Sequence, residues 1–319
     1  MDSYISPNSE FPSFAGPVVY NITTSDSLLD VDLYESGNLS VPLASRRIRV
    51  VDGKALFDVG PILRRRMALQ PVGGVTGLFA DDGCMAEIHI YAGGEFSPWV
   101  RCVAMPHERR LRMVTSMPPR RTIRYGESDR ILLFVPGRVT VEVEALSPAG
   151  DQAQSYEWDS GGGAVVLRLR TTDFDPETER FIVRINGEVA VTYEVDFPVR
   201  EAVRLAWRTA SGSVEHYTFP VVASRTLVPA STAVEDSQGR RTVAAEETTE
   251  TVVLSRFEPA ALTAAIAGAV SSPQVWTVDD ERGIYNPVEV VDARTEYYGF
   301  GELRNIRLTL RPVKNTRLS

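Results

Sequence analysis

The sequence predicts a mainly β fold, organised as two to three β-sandwich-like modules with one short α-helix in the C-terminal module. The chain has 319 residues, which is more than one hydrophobic core usually serves, so several domains are expected. Short apolar or alternating runs recur along the chain, separated by Gly, Pro and Asn turn signals, and this pattern is typical of strands. A sustained apolar pattern at helical spacing occurs at residues 258–270.

Residues 1–125 are predicted to form an N-terminal β-rich domain. Met85–Tyr91 and Trp99–Ala104 have the composition of two hairpin strands. Gly60-Pro61 opens a brief helical turn, because proline fits the first position of a helix, where its missing N–H would have no partner. Pro118-Pro119 ends this region and places a boundary near residue 125.

Residues 126–199 are predicted to form an immunoglobulin-like β-sandwich. Apolar or alternating runs follow one another at a spacing of about ten residues, as in small sandwiches. Asn186-Gly187 lies between two such runs and predicts a tight hairpin, since both residues tolerate a positive φ. The Cys…Trp…Cys spacing of true immunoglobulin domains is missing, so the prediction concerns architecture alone.

Residues 200–319 are predicted to form a C-terminal β domain with a helix at 258–270. The domain begins with a hairpin of Val203–Arg208 and Val214–Phe219 around Gly212. The polar stretch 230–251 fits either a long exposed hairpin or a mobile loop. In the helix, an acidic residue precedes a proline at the first position, and Pro273 ends the apolar pattern.

The sequence predicts neither an enzyme nor a metal or cofactor site. His89, His107 and His216 are scattered and form no metal-binding spacing. The adjacent acids Asp81-Asp82 and Asp279-Asp280-Glu281 are typical of solvated turns, although two acids converging in a groove would indicate a glycoside-processing enzyme. No GxGxxG, GK[ST] or GxSxG pattern occurs in a suitable context.

Arginine dominates the basic residues and offers candidate interface positions. Lys54 and Lys314 are the only lysines, so 34 − 2 = 32 basic residues are arginines, in a chain of net charge −8. The negative total argues against a nucleic-acid partner. The arginine clusters indicate either solvated faces and internal ion pairs or contacts with a partner. The candidate interface arginines are Arg64, Arg65, Arg66, Arg109, Arg110, Arg120 and Arg121.

The sequence gives no indication of secretion or membrane insertion. The first eight residues lack the basic and apolar regions of a signal peptide, and no apolar run approaches the roughly 20 residues that span a bilayer. We therefore expect synthesis in the cytoplasm without a signal peptide. Cys84 and Cys102 make no disulfide framework, and two buried free thiols are the favoured state.

Aromatic side chains suggest one candidate contact surface. Tyr297, Tyr298 and Phe300 form a dense cluster, to which Trp276 on a predicted strand is added. Exposed aromatic rings bind sugars or partner proteins, whereas a lone tryptophan on a strand usually lies in the core. These four residues are the predicted contact positions for a glycan or a partner.

The last third of the chain resembles structural proteins of tailed bacteriophages and prophages. The resemblance rests on a Leu-x-Trp-Arg hairpin with Gly before Glu-x-Tyr-x-Phe, a helix ending in Ser-Pro before an apolar strand, a Pro-Val strand and a closing basic strand. Ala55–Val59 before an arginine-rich turn is also similar. Many such proteins have Asn where this chain has Thr209. The C-terminal motifs read Leu205–Arg208, Gly212, Glu215–Phe219, Ser271–Trp276, Tyr285–Val288 and Leu308–Arg311.

The resemblance implies a virion structural protein, of the kind found in the tail tip or baseplate. It implies a virion location, a homo-oligomer, contacts with other virion tail proteins and a role for exposed arginines at subunit contacts. A host surface glycan is a further partner to consider. Two other classes stay open on the sequence: a carbohydrate- or receptor-binding β-sandwich module and a glycoside-processing enzyme.

Overall fold

The predicted fold class is confirmed by a computed structural model of the chain, which is mainly β and contains two α-helices. The structure describes residues 4–7, 13, 16–67, 69, 74–80, 82–104, 111–135, 137–159, 163–197, 199, 201–236, 239–297 and 302–313. Within these residues the strands form five sheets, and their apolar side chains form three large cores and a small satellite cluster.

The N-terminal segment contributes strands to four of the sheets. β2 pairs with β1 and β5, while β7 pairs with β3, β8 and β9. The β7–β9 pairing confirms the hairpin predicted from residues 85–104. The elements are β1 (Tyr4–Pro7), β2 (Val19–Thr23), β3 (Leu28–Glu35), β4 (Ala44–Arg49), β5 (Lys54–Asp58), α1 (Gly60–Arg66), β6 (Gly77–Ala80), β7 (Met85–Ala92), β8 (Glu95–Phe96), β9 (Val100–Val103), β10 (Arg112–Val114) and β11 (Arg120–Arg124).

The central segment forms a sandwich of two sheets. One sheet has the order β10-β12-β15-β6, and the other has the order β11-β17-β16-β13-β14. The β16–β17 hairpin turns at Asn186-Gly187, as predicted, with a bulge at Val183/Arg184. The new strands are β12 (Ser128–Val135), β13 (Arg138–Leu146), β14 (Gln152–Asp159), β15 (Gly163–Arg170), β16 (Arg180–Ile185) and β17 (Glu188–Asp196).

Strand β12 is buried along its whole length because its two faces belong to different cores. Leu132 and Phe134 pack in the N-terminal core, whereas Ile131 and Leu133 pack in the core of the sandwich. The alternation of side chains along a strand thus joins two cores through one sheet. Strands β6, β10 and β11 precede residue 125 but belong to the two sheets of the sandwich. The division of the chain at residues 125 and 199 stays a prediction.

The C-terminal segment forms one eight-stranded sheet with a helix packed on it. The helix, predicted at 258–270, spans Ala260–Ser271. Glu258 and Pro259 instead form a short strand, because Glu258 accepts a hydrogen bond from the Tyr217 hydroxyl at 2.7 Å. The elements are β18 (Val203–Arg208), β19 (Val214–Phe219), β20 (Val221–Asp236), β21 (Gly239–Leu254), β22 (Glu258–Pro259), α2 (Ala260–Ser271), β23 (Val275–Asp279), β24 (Ile284–Tyr297) and β25 (Leu303–Pro312).

The stretch 230–251, for which the sequence left two alternatives, belongs to a long hairpin. Strands β20 and β21 have 16 residues each and pair from Val221↔Leu254 to Asp236↔Gly239. On its second side, β21 pairs with β25 through residues 251–254. We call residues 225–250 of this hairpin the long arm, because they extend past the point where the sheet ends.

The β18–β19 hairpin docks its turn onto the N-terminal segment. Gly212 has φ +88°, and its carbonyl oxygen accepts hydrogen bonds from Arg208 Nη1 at 2.9 Å and from the Cys84 thiol at 3.3 Å. A Cβ atom on Gly212 would lie 2.8 Å from Ala104 Cβ and 2.9 Å from Cys84 Sγ. Cys84 and Cys102 are free and buried.

Substitution of Gly212 tests this docking. Gly212→Ala forces alanine into a left-handed conformation and into contact with Ala104, and we expect it to destabilise the protein by about 2–5 kcal/mol. Gly187→Ala is the matched control, because Gly187 has φ +85° but no atom within 4 Å of its added Cβ. Chemical denaturation measures both variants, and equal losses of stability would contradict the proposed contact.

Candidate functional site

Charged and polar side chains from all three segments meet at a buried junction. Most of them lie at the start of β12, in the β18–β19 hairpin or in the turn before β24, so the fold joins residues that are far apart in sequence. Their side chains interact with one another across the segment boundaries. We call this set the junction network; it consists of Thr115, Arg121, Glu127, Ser128, Asp129, Tyr193, Arg204, Glu215, His216 and Asp280.

Asp129 lies at the centre of the junction network. Its carboxylate accepts a hydrogen bond from the Tyr193 hydroxyl at 2.6 Å and one from Arg121 Nη1 at 3.2 Å, and His216 Nδ1 lies 3.0 Å from Oδ1. Burial disfavours the charged carboxylate. The hydrogen bond from His216 and the charges of Arg121 and Arg204 outweigh burial, and they lower the pKa of Asp129 well below its usual range.

Arg204 extends the network into the C-terminal sheet. Its guanidinium donates to Glu127 at 2.8 Å and to the backbone carbonyl of Ser128, and its Nε lies 2.9 Å from Asp280 Oδ2. Asp280 in turn accepts hydrogen bonds from the backbone N–H and the hydroxyl of Ser128. Burial alone would lower the pKa of Arg204, but Glu127 and Asp280 reverse the effect and raise it.

Glu215 attaches the C-terminal sheet to the segment between β10 and β11. Its carboxylate accepts hydrogen bonds from the Thr115 hydroxyl at 2.8 Å, the Ser116 backbone N–H at 2.9 Å and the Ser213 hydroxyl at 2.8 Å. Arg121 also donates to the Thr115 hydroxyl at 2.8 Å. These three hydrogen bonds occupy most of the acceptor sites of a carboxylate that is only 1% exposed.

A cleft of about 490 Å³ opens beside the junction network. Arg130, Arg168 and Arg170 line one wall, and Tyr285 with the turn 280–283 lines the other. Burial raises the pKa of Tyr285, and the nearby charge of Arg130 offsets part of the rise. We call this space the arginine cleft, because its arginines lie on adjacent strands of one sheet face.

A second surface feature is a stack of aromatic rings on the N-terminal sheet. The imidazole of His89 stacks on the Trp99 indole at a centroid distance of 3.8 Å and on the Phe96 ring at 4.7 Å. Trp99 is 43% exposed and Phe96 is 59% exposed, whereas His89 is buried. We call Phe96, Trp99 and His89 the aromatic shelf.

The predicted aromatic contact positions are only partly described. Trp276 is 8% exposed and packs with Ala206 and Val214 in a small buried cluster. Tyr297 is the last residue of β24, and the described part of the structure does not extend to its side chain. Tyr298 and Phe300 lie outside the described residues. The structure therefore leaves this cluster as a prediction.

The candidate interface arginines have different environments. Arg121 is buried in the junction network, which fits the interpretation of internal ion pairs. Arg64 donates to the Gly16 carbonyl at 2.9 Å, and Arg66 pairs with Glu35. Arg65 and Arg120 are exposed. The remaining candidates, Arg109 and Arg110, lie outside the described residues.

The described residues contain no group of three or more His, Cys, Asp or Glu side chains placed to hold a metal ion. No helix among the described residues is long and apolar enough to cross a membrane. Of the acidic runs noted in the sequence, Asp279-Asp280-Glu281 reaches the junction, where Asp280 serves as an ion-pair partner. The prediction that the protein is not an enzyme stays a prediction.

Sequence reasoning did not identify the junction network or the aromatic shelf. One signal was present: the run Ser128-Asp129-Arg130 begins a strand whose next five residues are all apolar and buried. Charged residues at the start of a buried strand need partners, because an unpaired buried charge is costly. Their partners come from strands that are distant in sequence, and local pattern does not identify these.

Neither a comparison with protein families nor a search of curated proteins found a match to the chain. Among solved structures, a chain of the virion of a native gene transfer agent particle is 12% identical, with 35% of this chain and 91% of that chain covered and a TM-score of 0.23. The full extracellular region of plexin A4 is 10% identical, with 97% and 39% covered and a TM-score of 0.24. At these TM-scores, neither likeness carries an argument about function.

Replacing the central carboxylate tests the junction network. Asp129→Asn leaves Arg121 buried without its charged partner, and we expect a loss of about 3–5 kcal/mol in the free energy of unfolding at neutral pH. The lowered pKa means that the unfolded chain binds the proton first as pH falls. The stability contributed by Asp129 is therefore present above about pH 4 and is lost below it.

The difference between wild type and Asp129→Asn should thus shrink as the pH is lowered below about 4. Asp30→Asn is the control, because Asp30 also pairs with an arginine, Arg47, but both side chains are exposed. It should change stability little, since exposed pairs contribute little. Chemical denaturation at a series of pH values measures the unfolding free energy of wild type and of both variants. A difference between wild type and Asp129→Asn that does not depend on pH would contradict the role given to Asp129.

Proposed function

We propose that the protein is a virion structural component of the tail-tip or baseplate type, which assembles through contacts with its own copies and with other virion proteins. The observation that carries the proposal is the long arm, residues 225–250, in which β20 and β21 pair with each other past the residues of β21 that pair with β25. The resemblance of the C-terminal motifs to tailed-phage structural proteins supports the same function.

The long arm provides backbone groups for pairing with another chain. Among the described strands, β20 pairs with β21 alone, and β21 pairs with β25 only at residues 251–254. Strand edges that have no neighbour present N–H and C=O groups to a strand of a partner. Leu227, on β20, is 65% exposed and adds apolar surface to this edge. The arm is therefore suited to an interface between subunits.

The junction network supports the proposal from inside the protein. A subunit of a symmetric assembly must keep its contact surfaces at fixed positions relative to one another. Arg204 and Glu215 bind groups of the central and N-terminal segments, and β12 belongs to two cores. These contacts attach the C-terminal sheet, from which the arm extends, to the other two segments.

Shortening the long arm tests the assembly role. Val228 and Thr248 are paired residues, so replacing residues 229–247 with Asn-Gly leaves a hairpin with a two-residue turn. We expect the shortened chain to fold and to remain monomeric where the full chain forms an oligomer, alone or with neighbouring virion proteins. Analytical ultracentrifugation and negative-stain imaging measure the change.

A control for this experiment replaces the exposed turn 147–150 of the sandwich with Asn-Gly and should leave assembly unchanged. Two results would count against the proposal. One is a full-length chain that stays monomeric even when mixed with its virion neighbours. The other is a shortened chain that assembles as well as the full-length chain.

A second candidate function is binding of a carbohydrate or receptor, and the aromatic shelf favours it. The rings of Phe96 and Trp99 stack on the buried His89 ring and leave apolar ring surface open to solvent. Exposed apolar ring surface suits the apolar face of a sugar ring. The aromatic shelf lies in the N-terminal segment and contains none of the predicted contact positions. Those positions are in the C-terminal segment: Tyr297, Tyr298, Phe300 and Trp276.

Substitution of the indole tests this second candidate. Trp99→Ala should weaken retention on immobilised bacterial surface polysaccharides by about tenfold, because the stacking face is lost. Phe197→Ala is the control, since Phe197 is 87% exposed in a different segment. Equal retention of wild type and Trp99→Ala would exclude the shelf as the binding surface.

A further inference from the structure

We propose that the arginine cleft binds a multivalent oxyanion, such as phosphate or a compact polycarboxylate. This inference is independent of the proposed assembly function. It rests on three observations: three arginines share one face of a sheet, a cavity of about 490 Å³ lies in front of them, and the opposite wall comes from a different segment.

The arginines are placed side by side by strand register. Arg130 on β12 and Arg168 on β15 are directly paired residues, and Arg170 follows Arg168 by two positions on the same face. Like charges directly opposite each other across two strands repel. A bound anion would reverse this effect, because one oxyanion accepts hydrogen bonds from several guanidinium groups at once.

The same sheet face is apolar at its other end. Leu132 and Val166 continue the rows of Arg130 and Arg168 and pack in the N-terminal core. The change from apolar to basic side chains occurs where the N-terminal core ends and the cleft begins. The arginines therefore stand on two paired strands within a rigid sheet, which is the arrangement that a defined binding site requires.

Two acidic residues, Asp280 and Glu281, also line the cleft. Asp280 lines the cleft, but its carboxylate binds Arg204 and the hydroxyl and N–H of Ser128. Glu281 is exposed at the turn, and Arg282 beside it adds another positive charge. By formal charge, the four arginines of the lining outnumber its two acids.

The chemistry of the lining determines the class of ligand. Each guanidinium has five N–H donors in a planar fork that matches phosphate and carboxylate oxygens, so Arg170 keeps further donors after its hydrogen bond to the Gly74 carbonyl. The cavity has the size of a small-molecule site. A small oxyanion with two or more charges fits both the lining and the volume.

Isothermal titration of the full chain tests the proposal with two probes, inorganic phosphate and citrate, at neutral pH and constant ionic strength set by sodium chloride. We expect the wild type to bind one anion per chain. Arg168→Gln and Arg170→Gln should each weaken binding by at least about tenfold, because a charge-assisted pair is lost. Arg138→Gln, which removes an exposed arginine on the other sheet, should bind like wild type.

Circular dichroism establishes that each variant is folded before titration. If Arg168→Gln does not fold, the comparison of Arg170→Gln with wild type tests the proposal. Arg170 is the last residue of β15, where a substitution disturbs folding less. The proposal is overturned if the wild type binds neither probe, or if a folded cleft variant binds both probes as tightly as the Arg138→Gln control. Loss of binding in the cleft variants alone supports it, whatever the oligomeric state of the chain.

Discussion

The ion pair with Arg121 and the hydrogen bonds of Asp129 are the interactions on which the meeting of the three segments depends. Asp129 lies near the start of the strand that two cores share, and its partners Arg121, Tyr193 and His216 lie on β11, β17 and β19. A buried charge without partners is costly, so each segment stabilises its neighbours by supplying one. The apolar cores join the N-terminal and central segments through β12, and the charged groups attach the C-terminal sheet to both.

The charged groups at this junction restrict the docking geometry more than an apolar interface would. Apolar surfaces tolerate sliding, whereas an arginine fork and a carboxylate satisfy each other in few geometries. Glu215 accepts three hydrogen bonds and Gly212 leaves no space for a side chain, so the β18–β19 hairpin fits the N-terminal segment in one position. Buried ion pairs often add little net stability compared with apolar side chains of similar size. We therefore infer that the main effect of the junction network is to restrict how the segments dock.

The sequence was sufficient where structure depends on neighbouring residues and insufficient where it depends on distant pairing. The turn at Asn186-Gly187 and the β7–β9 hairpin follow from local chemistry, and both were predicted correctly. Helix α2 begins two residues later than predicted, because Glu258 is held by Tyr217 on another strand. The arginine cleft was not predicted, since Arg130 and Arg168 become neighbours only through the pairing of β12 with β15.

The structure separates polar groups that are buried and bound within the protein from groups that are open to a second molecule. Asp129 and Glu215 are buried, and their carboxylates accept several hydrogen bonds from protein donors. Carboxylates bound in this way hold segments in place. The surfaces open to a second molecule are the long arm, the aromatic shelf and the arginine cleft. Each is supported by a different sheet. Under the proposed assembly function, these surfaces must keep fixed relative positions, and the junction network is where the segments that carry them meet.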